Sequence, residues 1–452
     1  MPLACAQRHP PDGELNVMDS ILGLDSAASL RVTGARPARG SLRVPGDKSI
    51  SHRALLLSAI ARGAGTITGL SLGQDVTHTR RAIERFGVSV ADLGDGRLRV
   101  EGPIRHEPDD VLDHGNAGTG IRLTAGVCAG IDGLSVLTGD QYLRRRPMDR
   151  VAEPLRAMGA TVDGREGGRL APMVIRGGNL TGITYAPQQA SAQVKSALLL
   201  AGLSARGTTT VEEIHPTRRH TEEMLQQFGG RVRVDGARVS VEPGELTATD
   251  IVVPGDPSQA AFWAVAALLA DQGEVVVEGL YTGFGRSDFV QILERMGADI
   301  SFDLTTGTLA VRSSRLRAVE ITAEDVPGIV DEVPVLAMAA AVAEGTTVIS
   351  GAAELRAKES DRIASTAAML RAFGAQVTET EDGIVIEGGA RLRPARVDSH
   401  GDHRIAMTAA VVGACAAEGD TVIEGWDSVA TSYPGFARHL MELTGTTAEP
   451  AA

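Results

Sequence analysis

The sequence repeats one pattern six times, and this repetition restricts the fold more than any single motif does. Each copy has a helix end, usually rich in small residues, then Gly and a short β-branched run that closes on Gly or Glu. The copies lie at 59–69, 129–139, 205–212, 271–279, 343–351 and 417–425. A second helix ending in Gly follows, at Gly87, Gly159, Gly229, Gly297 and Gly374, with Gly445 as a less similar sixth. The period of about 70 residues exceeds that of solenoid repeats, so we predict six larger units that alternate helix and strand.

The six units divide into two sets of three. The hexapeptide Val-Pro-Gly-Asp-Lys-Ser at 44–49 recurs as Val-Pro-Gly-Asp-Pro-Ser at 253–258. Each copy ends a strand, turns at Pro-Gly and opens an apolar helix, so the chain should pass between the two halves at these turns. The run at 335–342 carries no charge, which is typical of a helix buried on nearly all sides. We therefore predict an α/β fold in which sheets enclose the helices.

Composition restricts the partners. The 452 residues carry a formal net charge of −13, and aromatic residues make up 3%. An acidic chain with few aromatic side chains does not suit binding to nucleic acid or to an anionic membrane surface, so we expect neither partner. An anionic small molecule would instead need a local cluster of Lys and Arg.

The cysteines and the N-terminus indicate where the chain works. Three cysteines are too few and too scattered for a disulfide framework, and no charge-free apolar stretch is long enough to span a membrane. Residues 1–27 lack a signal-peptide core. We expect a disordered N-terminal extension over 1–27 and a cytoplasmic protein.

Several segments place cations near a helix start, where backbone N–H groups also attract anions. They supply Lys48, Ser49 and Arg53, then Arg144, Arg145 and Arg146, then Lys358 and Arg362, and finally His403 and Arg404. The spacing i, i+4 puts Ser49 and Arg53 on one helix face, and likewise Lys358 and Arg362. The alternative in each segment is a capped helix or a loop with solvated charges. Of the three arginines at 144–146, we expect one to point inward.

Other segments admit two interpretations. The Gly-rich loop at 116–122 suits either a close approach of the backbone to a ligand or a plain turn. Ser191 begins a helix either as an ordinary N-cap or as a ligand donor. Asp331 and Glu332 either complement the positive end of the next helix or supply a general base. The two histidines at 400–404 have no further ligands at suitable spacing, so we predict no metal site.

Taken together, these segments resemble the EPSP synthase family, the 3-phosphoshikimate 1-carboxyvinyltransferases. Pro-Gly-Asp-Lys-Ser-Ile-Ser-His-Arg at 45–53, Asn-Ala-Gly-Thr-Gly at 116–120, Arg-Pro-Met at 146–148, Ser-Ala-Gln-Val-Lys-Ser-Ala at 191–197, Lys-Glu-Ser-Asp-Arg at 358–362 and Asp-His-Arg at 402–404 occur in the family's order. The resemblance covers about residues 28–446. It implies a two-domain inside-out α/β barrel of six βαβαββ units, three per domain, with ligands in the cleft between the domains. The domain boundaries would be 28–46 plus 256–446 for the first and 47–255 for the second.

The resemblance also implies a reaction and its residues. Phosphoenolpyruvate would transfer its carboxyvinyl group to the 5-hydroxyl of shikimate 3-phosphate by addition and elimination, in a monomer, with no metal or organic cofactor. Asp331 would be the general base, Glu359 would handle the proton at the methylene carbon, and Lys48 would contact both substrates. Shikimate 3-phosphate would be bound by Lys48, Ser49, Arg53, Ser191, Ala192, Gln193, Asp331 and Lys358. Phosphoenolpyruvate would be bound by Lys48, Gly118, Arg146, Gln193, Arg362 and Arg404. Arg218, His403 and Thr431 would lie nearby, with Thr431 in place of a Lys found in some members.

Three alternatives remain open at this point. UDP-N-acetylglucosamine enolpyruvyl transferases share the fold and the chemistry, but they usually carry a Cys in the loop that corresponds to 139–146, where this chain has none. RNA 3'-phosphate cyclases share related repeats, but the acidic balance does not favour RNA. A non-catalytic anion-binding homologue would not need Lys48, Asp331 and Glu359 all to be present.

Overall fold

All strands of the described residues fall into six four-stranded sheets that share one topology. The computed structural model describes residues 23–94 and 96–451. In strand order the sheets are β14 (Ile251–Val252), β3 (Gly63–Thr68), β5 (Arg97–Gly102), β4 (Ser89–Gly94); β6 (Leu112–Asp113), β7 (Leu134–Thr138), β9 (Leu170–Arg176), β8 (Thr161–Arg165); β10 (Thr184–Tyr185), β11 (Thr209–Glu212), β13 (Arg238–Val241), β12 (Val232–Asp235); β2 (Arg39–Leu42), β15 (Glu274–Val277), β17 (Thr308–Arg312), β16 (Asp299–Asp303); β18 (Glu320–Ile321), β19 (Thr346–Ile349), β21 (Ile384–Glu387), β20 (Gln376–Glu379); and β22 (Arg396–Asp398), β23 (Gly419–Glu424), β1 (Ser29–Gly34), β24 (Thr447–Pro450).

Each unit contains one central helix and one second helix, and a short helix at Val326–Ile329 is additional to this pattern. The central helices are α1 (Lys48–Ile60), α3 (Gly118–Ala129), α5 (Ala192–Gly202), α7 (Pro257–Leu269), α10 (Val333–Val342) and α12 (His403–Cys415). Four of them join the first two strands of their own sheet, whereas α1 runs from β2 to β3 and α7 from β14 to β15, which are pairs of strands in different sheets. The second helices are α2 (Gln74–Arg85), α4 (Asp149–Met158), α6 (His220–Gln227), α8 (Asp288–Arg295), α11 (Arg362–Ala372) and α13 (Phe436–Thr444). Helix α9 (Val326–Ile329) is short, and 3-10 turns lie at Leu143–Arg145, Ala353–Ala357 and Trp426–Thr431.

The pairing of the strands confirms the predicted βαβαββ unit. In the sheet that begins with β6, a central helix leads to the parallel strand β7, and a second helix leads to the antiparallel hairpin of β8 and β9. The other five sheets repeat one parallel pair and two antiparallel pairs. Parallel neighbours that follow each other along the chain need a crossover connection, and a helix supplies it in four of the six units. In the other two units the parallel partner comes from a distant crossing segment.

The central helices are enclosed, as their apolar sequences predict. All residues of His403–Cys415 are buried, and so are all of Val333–Val342 except the last. The helices α7, α10 and α12 pack against one another within one hydrophobic core, and α1, α3 and α5 pack within a second core. The sheets surrounding the helices are six separate sheets, so they do not form one continuous barrel in the described part of the chain.

The chain crosses between the two halves at the two hexapeptides. Strand β2 pairs in one half, but the next helix, Lys48–Ile60, belongs to the other; strand β14 and helix Pro257–Leu269 cross in the opposite direction. The crossing segments pair through Gly46 and Gly255. Gly46 cannot be replaced without a shift, because an added Cβ would lie 1.9 Å from the carbonyl oxygen of Gly69.

Part of the predicted N-terminal extension packs against the rest of the chain, at residues 24 and 25. Residues 1–22 of that predicted segment lie outside the described residues. Leu24, however, is buried in the first core, and its carbonyl accepts a hydrogen bond of 3.0 Å from the Trp426 indole. The Asp25 carboxylate accepts from the backbone N–H of Gly435. The boundary of the extension therefore falls before residue 28.

Candidate active site

A cleft between the two halves receives the N-terminal ends of all six central helices. The first residues of these helices, or the residues just before them, line it: Lys48, Gly118, Ala192, Asp256, Asp331 and His403. A helix N-terminus carries a partial positive charge and unpaired N–H groups. Six such ends directed at one cleft make it suitable for a strongly anionic ligand.

The side chains of the cleft add formal positive charge. Its lining includes ten Lys and Arg residues, which are Lys48, Arg53, Arg122, Arg146, Arg150, Arg218, Arg286, Lys358, Arg362 and Arg404. Only five carboxylates line it, those of Asp75, Asp256, Asp331, Glu354 and Glu359. An excess of five positive charges within a chain of net charge −13 predicts that the cleft, and not the general surface, binds anions.

Helix Lys48–Ile60 places two cations on the wall formed by 47–255. Arg53 is buried, and its guanidinium donates to Thr221 Oγ1 and Ser196 Oγ, both at 2.7 Å, and to the Ser49 carbonyl at 2.8 Å. Burial lowers the pKa of Arg53 to about 10, so it remains charged at neutral pH. The Lys48 ammonium lies 3.0 Å from Asp75 Oδ2. Arg53 is therefore fixed, whereas Lys48 has one carboxylate partner that a ligand would have to replace.

The Gly-rich segment and the start of helix Ala192–Gly202 form the next part of this wall. Arg122 donates to Gln193 Oε1 at 2.7 Å, and the Gln193 amide donates to Thr119 Oγ1 at 3.0 Å. A Cβ on Gly118 would lie only 2.8 Å from Arg146 Nη1. A side chain at position 118 would therefore push the Arg146 guanidinium away from the backbone, and this close approach of a cation to the loop favours the ligand interpretation over the plain turn.

One of the three consecutive arginines points inward, as predicted. Arg146 is buried and donates to the Asn116 side chain, whereas Arg144 and Arg145 are exposed. Ser191 caps its helix by accepting from Val194 N, and it also lines the cleft. Both interpretations of Ser191 therefore apply together.

Asp331 lies at the centre of the opposite wall and is surrounded by guanidinium groups. Its carboxylate lies 3.0 Å from Arg218 Nη2, 3.2 Å from Arg362 Nη1 and 3.9 Å from Arg404 Nε. Burial opposes its ionisation, but Arg404, Arg218, Lys358 and Arg362 together hold its pKa well below the ordinary value. These cations therefore keep Asp331 ionised, as a general base requires.

Glu359 occupies a similar environment. Its carboxylate lies 2.6 Å from Arg362 Nη2 and 3.3 Å from Arg146 Nη1. Burial would raise its pKa, but the charges of Arg362 and Arg146, together with that of Lys48, hold it well below the ordinary value. Lys358, the residue before it, pairs with Glu354 at 2.7 Å.

The segment at 402–404 both begins a helix and lines the cleft, through Asp402 and through His403 and Arg404 respectively. Asp402 caps helix His403–Cys415 by accepting from Arg404 N at 2.9 Å, and it also binds Arg362 Nε at 2.8 Å. Burial, together with Lys48 and Arg404, lowers the pKa of His403 well below its ordinary value, so the ring is neutral. In the described residues, no group of three or more His, Cys, Asp and Glu side chains is arranged to hold a metal ion.

Besides the pair of Arg286 with Asp47 where the chain crosses between the halves, three ion pairs of the described residues span the cleft. They are Arg218 with Asp331 at 3.0 Å, Arg146 with Glu359 at 3.3 Å and Arg150 with Glu354 at 3.9 Å. The two halves therefore contact each other across the cleft, and three of the cleft arginines pair with the protein's own carboxylates. An anionic ligand must displace these carboxylates in order to reach the guanidinium groups.

The cleft unites nearly all the site residues predicted from sequence. Lys48, Ser49, Arg53, Gly118, Arg146, Ser191, Ala192, Gln193, Arg218, Asp331, Lys358, Glu359, Arg362, His403 and Arg404 all line it. Thr431 does not; it lies in an adjoining pocket, where its hydroxyl is 3.4 Å from His403 Nδ1. The roles given to these residues remain predictions.

Sequence reasoning missed several residues that line the cleft, namely Asp75, Arg122, Arg150, His220, Asp256, Arg286 and Glu354. Arg122 lies four residues after Gly118, so the helical period could have placed it on the same face. No local pattern marks Arg150 or Arg286, because each reaches the cleft only through the tertiary fold.

Comparison with known proteins agrees with this geometry. The family model of EPSP synthase (3-phosphoshikimate 1-carboxyvinyltransferase) matches residues 32–440. A 3-phosphoshikimate 1-carboxyvinyltransferase of Synechococcus sp. (strain JA-3-3Ab) is 48% identical, over 92% of this chain and 97% of the relative. The enzyme of that name from Geobacter sulfurreducens is 49% identical, over 91% of this chain and 98% of the relative.

Solved structures agree as well. EPSP synthase from Acinetobacter baumannii superposes with a TM-score of 0.82 at 39% identity and covers 93% of this chain and 99% of that chain. The enolpyruvyl transferase NikO from Streptomyces tendae superposes with a TM-score of 0.76 at 18% identity, over 93% of this chain and 98% of that chain. At that identity the second likeness shows the fold alone. None of the described helices has the length and apolar character needed to cross a membrane.

Proposed function

This chain belongs to the EPSP synthase family, and from that premise we propose how its cleft carries out the reaction. The reaction transfers the carboxyvinyl group of phosphoenolpyruvate to the 5-hydroxyl of shikimate 3-phosphate and releases inorganic phosphate. It belongs to the shikimate pathway, which supplies chorismate for aromatic amino acids. Both substrates carry several negative charges, and both must be held together in one site that excludes water.

In this proposal the two substrates share Lys48 and Gln193, and each has further contacts of its own. Shikimate 3-phosphate takes Lys48, Ser49, Arg53, Ser191, Ala192, Gln193, Asp331 and Lys358. Phosphoenolpyruvate takes Lys48, Gly118, Arg146, Gln193, Arg362 and Arg404. Support for this division comes from Arg53 and Arg146, which are buried guanidinium groups that line the cleft at separate places, the first held by Thr221 and Ser196 and the second by Asn116 and Glu359. Bidentate guanidinium groups suit both phosphate and carboxylate.

The two carboxylates move the protons. Asp331 accepts the proton of the 5-hydroxyl as its oxygen attacks C2 of phosphoenolpyruvate, while Glu359 delivers a proton to the methylene carbon and so makes C2 electrophilic. In the resulting tetrahedral intermediate, one of the methyl protons returns to Glu359 as the C2–O bond to phosphate breaks, and the proton that Asp331 accepted passes to the departing phosphate. The guanidinium groups stabilise the charge on the departing phosphate.

Substrate binding also prepares Glu359 for this role. Arg362 and Arg146 hold its pKa low, so before substrate binds Glu359 is ionised and has no proton to give. When the carboxylate and phosphate of phosphoenolpyruvate pair with these guanidinium groups, their influence on Glu359 is neutralised and its pKa rises. In the bound complex Glu359 can then take up a proton before the addition step.

One observation carries the proposal: fixed cations from both halves and two ionised carboxylates meet in a single cleft. We further assign residues 28–46 with 256–446 to one domain and 47–255 to the other, in support of which each half has its own hydrophobic core. We propose a monomer in the cytoplasm, because one chain supplies both walls of the cleft and its two described cysteines are buried and unpaired.

The assay that tests this function measures phosphate release from phosphoenolpyruvate by the purified protein. We expect release that depends on shikimate 3-phosphate and does not occur when UDP-N-acetylglucosamine replaces it. Release with UDP-N-acetylglucosamine but not with shikimate 3-phosphate would identify the protein as one of the related UDP-N-acetylglucosamine enolpyruvyl transferases. Absence of release with either acceptor would favour a non-catalytic anion-binding protein.

A further inference from the structure

Arg286 is a buried cation at the crossing of the two halves that the reaction itself does not use. Its side chain comes from the loop before helix Asp288–Arg295 and is only 3% exposed. Its guanidinium donates to Asp47 Oδ2 from Nε at 3.1 Å and from Nη2 at 2.7 Å, and Nη2 also donates to Asp256. These two aspartates are the equivalent residues of the two hexapeptides.

Each of these aspartates begins a central helix. Asp47 caps Lys48–Ile60 by accepting from Ile50 N at 2.8 Å, and Asp256 caps Pro257–Leu269 by accepting from Ser258 N at 2.9 Å. Asp256 also accepts from the backbone N–H of Lys48 at 3.2 Å. Arg286 therefore fixes the starts of two helices in opposite halves, and one of these starts carries Lys48.

The same guanidinium reaches the opposite wall. Its Nη1 donates to Ser258 Oγ at 2.7 Å, and that hydroxyl donates to Glu332. Glu332 follows Asp331 in sequence and lies 3.8 Å from Arg404 Nη1. One side chain is thus linked to Lys48 on one wall and to the neighbours of Asp331 and Arg404 on the other.

The crossing needs such a link. The described chain passes between the halves only near Gly46 and Gly255, where the backbone pairing consists of an isolated bridge and the hydrogen bonds Asp47 N to Pro254 O and Asp256 N to Pro45 O. Two short segments joined at glycine permit rotation of one half against the other. A planar guanidinium with several fixed donors restricts that rotation, which a single ammonium point charge does less well.

We propose, on the basis of the function given above, that Arg286 is a positioning residue that sets the two walls of the cleft relative to each other. It touches neither substrate. Through Asp47 and Asp256 it orients Lys48, and through Ser258 and Glu332 it orients Asp331 and Arg404. The reacting groups of the two halves are thereby brought to one geometry when the cleft closes.

The first test compares Arg286→Lys with Arg295→Lys. The control retains charge in the same way at an exposed guanidinium that pairs with Asp325 at 2.8 Å, away from the cleft. We expect kcat of Arg286→Lys to fall at least tenfold, and the Kd of shikimate 3-phosphate by calorimetry to stay within threefold, because its proposed contacts on 47–255 remain. Arg295→Lys should match the wild type. A kcat of Arg286→Lys within twofold of wild type would overturn the proposal.

A second variant separates positioning from folding. Arg286→Gln with Asp256→Asn removes one charge of each sign, so the buried cluster keeps its net charge, and Asn can still cap the helix. We expect its Tm to lie close to that of the wild type while kcat stays at least tenfold lower. A restored kcat would mean that Arg286 serves stability alone, and this would refute the positioning role.

A third measurement does not depend on turnover. Spin labels at Asp235→Cys and Glu442→Cys, two exposed positions in different halves, report the distance between the halves in a Cys5→Ala background. We expect one narrow distance distribution in the otherwise wild-type protein and a broadened one in Arg286→Lys. Equal widths would contradict the proposal even if the enzyme were active. Absence of phosphate release in the wild type would instead contradict the proposed function.

Discussion

Replacement of Glu359 by Gln tests the proton step at the methylene carbon. The amide has nearly the same shape and can still accept from Arg362, whose Nη2 lies 2.6 Å from the carboxylate, but it cannot deliver and recover a proton. General acid–base catalysis typically contributes about 10²- to 10⁴-fold, which corresponds to about 2.7–5.4 kcal/mol of activation free energy. We therefore expect kcat to fall by that factor.

Binding should respond differently. The Glu359 carboxylate competes with phosphoenolpyruvate for Arg362 and Arg146, so its removal should leave the KM for phosphoenolpyruvate unchanged or lower. The free energy of unfolding of the empty protein should fall by about 1–3 kcal/mol, because two buried guanidinium groups lose a charged acceptor. The assay is steady-state phosphate release at varied phosphoenolpyruvate, beside denaturant unfolding.

The matched control is Glu354→Gln. Glu354 lies on the same segment and also pairs with a cation, Lys358, at 2.7 Å, but no proton transfer is proposed for it. We expect its kcat to fall less than tenfold. A folded Glu359→Gln variant with kcat within threefold of wild type would refute the reasoning, and so would equal losses in the two variants.

Three further predictions follow from the same geometry. Asp331→Asn should lower kcat by about 10²-fold or more while shikimate 3-phosphate still binds, as calorimetry would show; an unchanged kcat would remove its role as general base. Gly118→Ala should raise the KM for phosphoenolpyruvate more than it lowers kcat, because the added Cβ would lie 2.8 Å from Arg146 Nη1; unchanged kinetics would mean that Arg146 is not held there for the substrate. The folded state depresses the pKa values of Asp331 and Glu359. The stability that these two ionised carboxylates contribute is therefore present above about pH 4.5 and is lost as the pH falls towards their folded-state pKa values. The free energy of unfolding, measured at a series of pH values, should fall more steeply below about pH 4.5 for the wild type than for Glu359→Gln, and parallel curves would contradict this.

The repeat could be predicted from the sequence because its most informative residues are fixed by backbone conformation. The six glycines predicted to end the second helices all have positive φ, from +63° to +111°; they are Gly87, Gly159, Gly229, Gly297, Gly374 and Gly445. Only Gly adopts this conformation without strain, so the local signal was strong. The charge-free helix at Val333–Val342 was predictable for an equally local reason, since burial on all sides leaves no polar face.

The strand exchange was not predictable in the same way. Strand β1, near the N-terminus, pairs with β24, near the C-terminus, and β2 pairs with β15 more than 200 residues later. These pairings bring together distant segments whose local patterns resemble those of any other unit. The same limit applies to Arg286, whose four side-chain hydrogen bonds go to residues near 47 and 256 rather than to its own neighbourhood.

The whole account is tested most directly by the ligand positions in a crystal structure of the Glu359→Gln variant with shikimate 3-phosphate and phosphoenolpyruvate. We expect both ligands in the one cleft, with the 5-hydroxyl within about 3.2 Å of the Asp331 carboxylate and phosphoenolpyruvate bridging Lys48 of one half and Arg404 of the other. Ligands held in separate pockets, with Lys48 and Arg404 sharing neither of them, would contradict it.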